Sequence, residues 1–373
     1  MVYLEPGDLL CTMRACRTLF QVGIPILLRD VQLLGLEKTR ERRYALYRRH
    51  LLKDPARFSC VMSLACSYSA LDKQTRSCYL ALPRNFKSLR ALTVDMEGKE
   101  LDSSLSRWIL SQTILRELKL QNVGREVQPV MDLIQNLGAS LEVLQIHMMY
   151  WGGLRGPFDP IPALLTSSHS LRSLSIRCHD SENGPSIGPE VHIRCPVVQD
   201  LHWVTSRHVQ TSTLIQTFPS LRNLHIGHAY LDDYISMLFN NVFSHDQLLD
   251  IRQRNQHAQR CQHMCWASLE SLQGGLLTLW TLALRCRVVR LDTSLRIKVE
   301  KVGHLLVILH DTWPENLVLS LFPEHVVDLD RVLNFPSLQT LNLVVYVVHK
   351  TDLENVLKLL VSLTTAINIF ELY

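Results

Sequence analysis

Nine times along the 373-residue chain a six-residue string returns with apolar side chains at its first, fourth and sixth positions. The strings start at Val61, Leu89, Leu115, Leu141, Leu171, Val198, Leu221, Leu279 and Leu338, and the first seven lie 28, 26, 26, 30, 27 and 23 residues apart. Positions 4 and 6 are two residues apart, so they share one face of a short strand while positions 3 and 5 point the other way. A helical reading fails at position 6, which in a helix would sit about 140° round from position 1. That position nevertheless holds Val94, Leu120, Ile146, Ile176, Trp203, Ile226, Leu284 and Leu343. Each string is therefore expected to be one strand.

Between the strings lie stretches with helical periodicity: Leu101 to Gln112, Pro129 to Leu137 ending at Gly138, Thr213 to Phe218, and Val326 to Asn334. Pro129 suits a first helical turn and Gly138 the position just past a helix end. One strand and one helix in a repeat of about 26 residues cannot enclose a core, so neighbouring repeats have to stack. The expected class is α/β: a solenoid with a parallel-sheet horseshoe on one side and helices on the other. The interval from Leu221 to Leu279 spans two periods and holds a polar stretch, Ser244 to Gln262. We expect an insertion near 232–268 built on one long solvated helix. L-E-S-L from Leu269 follows it, and Val288 to Leu291 and Leu317 to Leu321 read as degraded repeats.

Composition narrows the function class. Hydrophobic residues make up 47 % and charged residues 20 %, enough for a sizeable core and a solvated surface. A net charge of +4 from 39 basic and 35 acidic residues is too mild to imply nucleic acid, which is disfavoured as a partner. The longest apolar runs, Leu305 to Leu309 and Leu343 to Val348, fall far short of the roughly 20 residues of a membrane-spanning helix. Glu5 and Asp8 precede any apolar run, unlike a secretory signal. Ten cysteines without framework spacing read as reduced thiols. A cytoplasmic or nuclear location is expected.

The strings resemble those of the leucine-rich repeat family over residues 58 to 373. That family's pattern adds an Asn or Cys at position 9 to bond the turn after the strand. Here position 9 is Glu97, Val123, Met149, His179, Ala229 and Tyr346, so the turn ladder is either missing or supplied otherwise.

Residues 3 to 31, with D-L-L at Asp8 to Leu10, then Ala15, Cys16, Arg17, Leu19 and Phe20, resemble the second and third helices of an F-box. I-P-I-L-L-R-D-V and the segment from Asp54 look like the junction between F-box and repeats in fungal F-box proteins. The resemblance implies a short all-α segment at 1–35 that docks on a Skp-type adaptor, and through it a cullin, by way of Leu9, Leu10, Cys16, Leu19, Phe20, Pro25 and Leu28. The Leu-Pro-x-Glu opening of an F-box is lacking, with only Tyr3 and Leu4 in its place. This departure reads as a truncated start with weakened docking. A helical cap over the first repeat is the structural alternative. Residues 36–57 are expected to form a basic linker helix, because Lys38 to Arg57 carries eight Lys or Arg against Glu41 and Asp54.

Neither a phosphate-binding loop, a dinucleotide fingerprint, a nucleophile elbow nor H-E-x-x-H occurs, so the chain is read as a non-enzyme without catalytic residues or cofactor. His257, Cys261 and Cys265, spaced by four with His263 nearby, would offer zinc-type ligands on one helical face. A solvated helix is preferred, and no metal is expected. Binding is expected on the concave sheet face, from the residues between the leucines. Position 2 carries Arg90, Arg116, Arg172 and Arg222, and position 5 carries Lys119, His202 and His225. This basic bias fits a protein partner with acidic or phosphorylated groups, or serves only solubility. Two functions follow: the substrate-recognition subunit of an SCF-type ubiquitin ligase, or a stand-alone interaction scaffold with no ubiquitin role.

Overall fold

A computed structural model of the chain describes residues 17–32, 55–68, 86–149, 154–155, 158–164, 169–178, 193–205, 209–228, 244–262, 265–295, 302–321, 332, 335–345 and 371–372. Two compact units divide it, Met1–Leu171 and Arg172–Tyr373.

In the first unit, helix α1 (Arg17–Leu27) leads into β1 (Asp30–Gln32). A 3-10 turn at Pro55–Cys60 precedes β2 (Ser63–Ser67), followed by β3 (Ala91–Asp95), α2 (Ser103–Leu110), β4 (Glu117–Val123), α3 (Gln128–Asn136), β5 (Val143–Met148) and the single turn α4 (Pro160–Ala163). The strands pair in sequence order, all parallel. Leu64, Leu92, Leu118 and Leu144 stand opposite one another at position 4, as do Cys66, Val94, Leu120 and Ile146 at position 6. All eight are buried. This fixes the strand register, because a slip of one residue would send both apolar columns to the other face.

Helix α2 begins where Asp102 accepts a hydrogen bond from the Leu105 amide at 2.7 Å, a side-chain N-cap. The turns after the strands lack the family's Asn at position 9 but are bonded by other means. Asp95 Oδ1, at position 7, accepts from the Glu97 amide and from Asn122 Nδ2, both at 3.0 Å. Backbone bonds from Tyr68 N to Asp95 O and from Met96 N to Gln121 O continue the ladder.

The second unit runs β6 (Ser173–Arg177), β7 (Asp200–Thr205), α5 (Thr211–Thr217), β8 (Asn223–His228), α6 (His245–Gln262), β9 (Ser268–Gly274), α7 (Leu276–Leu282), β10 (Arg287–Leu295), α8 (Val302–Thr312), β11 (Asn316–Leu321), β12 (Thr340–Val345) and β13 (Glu371–Leu372). Neighbouring strands are again parallel and in sequence order. Both units are therefore α/β with a solenoid-like repeat of strand and helix, and the strands expected from Val288 and Leu317 are present.

Four expectations are corrected. The string at Leu279 is not a strand: Leu276–Leu282 is helix α7, and the strand lies at Ser268–Gly274. Leu269 and Leu272 occupy positions 1 and 4 of the true string, and position 6 is Gly274, which hides the pattern. The insertion accordingly ends before Ser268.

Helix α6 is not simply solvated. Leu248, Arg252, Asn255 and Gln259, spaced by four, three and four, form a buried stripe that is polar at three of its four places. Its role is visible at the carboxyl end of α7, where a helix leaves carbonyls without partners. Trp280 O accepts from Arg252 Nη1, Thr281 O from Asn255 Nδ2 at 2.9 Å, and Ala283 O from Gln259 Nε2 at 3.0 Å. The remaining carbonyl, Leu282 O, accepts from Thr211 Oγ1 at 2.6 Å, and Asn255 Oδ1 in turn accepts from the Thr211 amide. The buried Arg252 also pairs with the part-buried Asp311 of α8 at 2.5 Å and lies 5.2 Å over the Trp280 ring. The inserted helix is thus a polar brace joining α5, α7 and α8.

Cys265 is not on the same helical face as His257 and Cys261, because α6 ends at Gln262. The arginines of position 2 are not on the sheet face either, as described below. Residues 36–54 of the expected basic linker helix, and most of the helix expected at Val326 to Asn334, lie outside the described residues, while Pro55 to Arg57 fall in the 3-10 turn.

Candidate partner-binding face

Strands begin at position 3 of each string, so the face turned away from the apolar columns is built from positions 3, 5 and 7. In the first unit position 5 runs Ala65, Thr93, Lys119, Gln145 across β2 to β5. Lys119 lies 2.5 Å from Glu117 of its own strand, which neutralises the one cation expected there.

In the second unit position 5 runs Ser175, His202, His225, Gln273, Asp292, Val318 and Asn342. His202 and His225 stack, ring centroids 3.9 Å apart and planes 22° from parallel. This follows from the register, since directly opposed residues of neighbouring strands bring their side chains together. Arg177, at position 7 of β6, reaches His202 Nε2 at 3.4 Å. Burial lowers the His225 imidazole below its ordinary range, a bond with Gln273 raises it, and the nearby Arg177 charge lowers it further. On the same face Asp200 accepts from Asn223 Nδ2 at 2.7 Å, and Asp292 faces Arg290 at 3.8 Å. Burial raises the Asp292 carboxyl and Arg290 opposes that shift. Among the described residues, no carboxylate pairs with Arg177.

Arg90, Arg116, Arg172 and Arg222 are exposed in the turns that lead into the strands. Their backbone explains the placement. The carbonyls of Arg90, Arg116, Arg172 and Arg222 each accept from the amides of positions 2 and 3 of the following strand. Position 2 thereby becomes a structural turn at the sheet's edge. Arg116 pairs with Glu142 at 3.1 Å and Arg222 with Glu270 at 3.2 Å, one strand along, and Arg287 pairs with Glu315. Such exposed pairs contribute little to stability, roughly 0–1 kcal/mol each. Half of the expected arginine column is thus neutralised laterally.

Of the residues expected to dock on an adaptor, Leu9, Leu10 and Cys16 lie outside the described residues. Leu19 and Phe20 fall within α1. Pro25 is exposed in its last turn, and Leu28 packs half-buried with Ile26 and Leu27 against the buried Ile24. Val22 is 54 % exposed on the same helix.

Two other places could hold a ligand. A groove of about 430 Å³ between the start of α5 and α6 is lined by Ser212, Gln247, Asp250, Ile251 and Arg254, with Arg254 already paired to Asp250 at 2.5 Å. His257 and Cys261 approach to 3.4 Å on α6, but no group of three metal-ligating side chains gathers among the described residues. Among those residues no helix is long and apolar enough to cross a membrane.

Sequence reading missed Arg177, which falls outside the columns at positions 2 and 5. It also missed a serine immediately before the string at Ser88, Ser140, Ser170, Ser220, Ser268 and Ser337. Three of these hydroxyls donate to a carbonyl one repeat back: Ser140 to Leu115 O at 3.1 Å, Ser170 to Leu141 O at 2.7 Å and Ser337 to Pro314 O at 2.9 Å. The recurrence itself was the signal. Compared with the known protein-family models and with curated proteins, the chain matches none.

Proposed function

We propose that the chain is a protein-binding scaffold that acts as a substrate-recognition subunit of an SCF-type ubiquitin ligase. The sheet face would hold a protein substrate, and the segment containing α1 would hold a Skp-type adaptor and through it a cullin. The observation that carries the binding role is the polar face at positions 3, 5 and 7, regular over both strand ladders while the opposite columns are buried. Repeating polar surfaces of this kind suit an extended macromolecular partner. A scaffold of this type brings substrate to an enzyme and needs no catalytic group of its own.

The ligase role rests on the F-box-like residues from Asp8 to Leu28, and the exposure of Val22 and Pro25 on α1 is consistent with a docking helix. The second reading, a stand-alone scaffold in which α1 only covers the end of the first ladder, is favoured by the packing of Ile24 with Ile26, Leu27 and Leu28. Affinity purification of the tagged chain separates the two. Co-purification of a Skp-type adaptor and a cullin supports the ligase role. Their absence, with a folded chain, leaves the scaffold.

A further inference from the structure

We propose that Arg177, His202 and His225 form a subsite for a carboxylate side chain of a bound protein segment, occupied together with one proton. The inference rests on reading the sheet face as a partner-binding surface, and it specifies the partner's chemistry at one place. Three observations converge on it. The two imidazoles stack at 3.9 Å on adjacent strands, and Arg177 adjoins the pair. Other cations of the face have partners, Lys119 in Glu117 and Arg290 in Asp292, whereas among the described residues no carboxylate neutralises Arg177.

Stacking limits how the pair can charge. A guanidinium only donates, so His202 Nε2 faces Arg177 as an acceptor in the neutral ring. Two imidazolium rings at this separation beside a guanidinium would repel, so the pair takes one proton at most near neutrality. An arriving carboxylate reverses the balance: it accepts from Arg177 and from a newly protonated imidazole, a charge-assisted arrangement stronger than either neutral bond.

Charged and polar groups of the neighbouring strands face the pair. Arg177 lies on β6, and Asp200, bonded to Asn223, lies on β7. Gln273 of β9 bonds His225, and Asp292 of β10 stands one strand further with Arg290. Arg177 is the nearest of these charges, and its repulsion of His225 is relieved when an anion binds. Binding is therefore coupled to proton uptake from solvent and strengthens as pH falls from 8 to 6.

The test uses the full chain and a labelled hexaglutamate peptide, whose carboxylates stay ionised over that range. We expect affinity about tenfold higher at pH 6 than at pH 8. Calorimetry in buffers of different ionisation heat should give close to one proton taken up per peptide at pH 7. His202→Gln and His225→Gln should each remove the pH dependence, and Arg177→Gln should lower affinity at both pH values. Arg222→Gln, an equal loss of charge at the sheet edge, should change neither. Failure to bind at either pH, binding without proton uptake by the unmodified chain, or a dependence that survives both histidine variants would overturn the proposal. So would a phosphoserine peptide that binds more tightly at pH 8 than hexaglutamate does at pH 6. None of these outcomes depends on adaptor capture, so this subsite and the ligase role fail separately.

Discussion

Leu279 of α7 fills the space that Gly274 leaves open at position 6 of β9. A Cβ on Gly274 would stand 2.3 Å from Ile226 O and 3.1 Å from Leu279 Cδ2. The leucine that imitates a strand string is thus the side chain that replaces one. Restoring the apparent pattern should therefore harm the protein. Gly274→Leu is expected to destabilise by about 1–3 kcal/mol or more, because backbone blocks one side of the new side chain. Leu279→Ala should cost about 2–5 kcal/mol through the cavity it opens. Urea denaturation of both variants checks the pair, and a stabilised Gly274→Leu would contradict the packing.

Leu118 and Lys119 are neighbours with opposite fates. Leu118 is fully buried at position 4, and Lys119 points to the polar face beside Glu117. Leu118→Asp should lower stability by several kcal/mol, since an unpaired carboxylate would enter the core. Lys119→Asp should be far milder, although it places two acids together. Thermal melts that showed equal loss would mean the strand is out of register.

The legibility of the fold follows from this alternation. Eight of the nine strings keep apolar residues at 4 and 6 because their strands are covered by neighbours on both sides, and those were readable from spacing alone. Gly274 broke the pattern at β9, and Leu279 with Leu282 supplied a false copy within a helix. The brace α6 was illegible for a different reason. Arg252, Asn255 and Gln259 are polar yet buried, and no periodicity of apolar residues marks a stripe that satisfies carbonyls. On the candidate face, the position 5 histidines were visible in sequence, whereas Arg177 belongs to position 7 and enters only through strand register. The arginines of position 2 misled because their alternation with the leucines stops where the strand begins.

Asn255 should be the most sensitive residue of the brace. It donates to Thr281 O and Val209 O and accepts from the Thr211 amide. Asn255→Ala removes all three partners at once, and each unsatisfied buried group costs about 1–3 kcal/mol where water cannot replace it. A loss of roughly 2–4 kcal/mol is expected. Hydrogen exchange should rise first at the carboxyl end of α7, and unchanged protection there would argue against the brace.

Acid should weaken the second unit partly through His225. Its folded value lies below the ordinary one, so the unfolded chain binds the proton more readily. Stability contributed by the neutral ring is present above about pH 6.5 and declines as pH falls below it. His225→Gln should flatten that decline between pH 7 and pH 5. Asp292 works in the opposite sense: its raised carboxyl is protonated more readily in the folded state, so acidification toward its ordinary value of about 3.9 favours folding there. Asp292→Asn should leave the slope near pH 6 unchanged and raise stability at neutral pH. Denaturation midpoints across this range test both signs.

On the proposed ligase role, adaptor capture should depend on a few apolar anchors near α1. Helix-in-groove contacts concentrate their energy in such side chains, so removing two of them has a disproportionate effect. Leu9→Ala with Leu10→Ala is expected to abolish capture of a Skp-type adaptor while leaving circular dichroism of the strand ladders intact. Val22→Arg tests the described part of the same segment. Val22 is already exposed, so a charge there should cost less than about 0.5 kcal/mol of folding stability, as at an ordinary surface site, yet oppose an apolar groove. Retention of the adaptor by both variants would place docking on another surface and leave α1 as a cover for the first ladder.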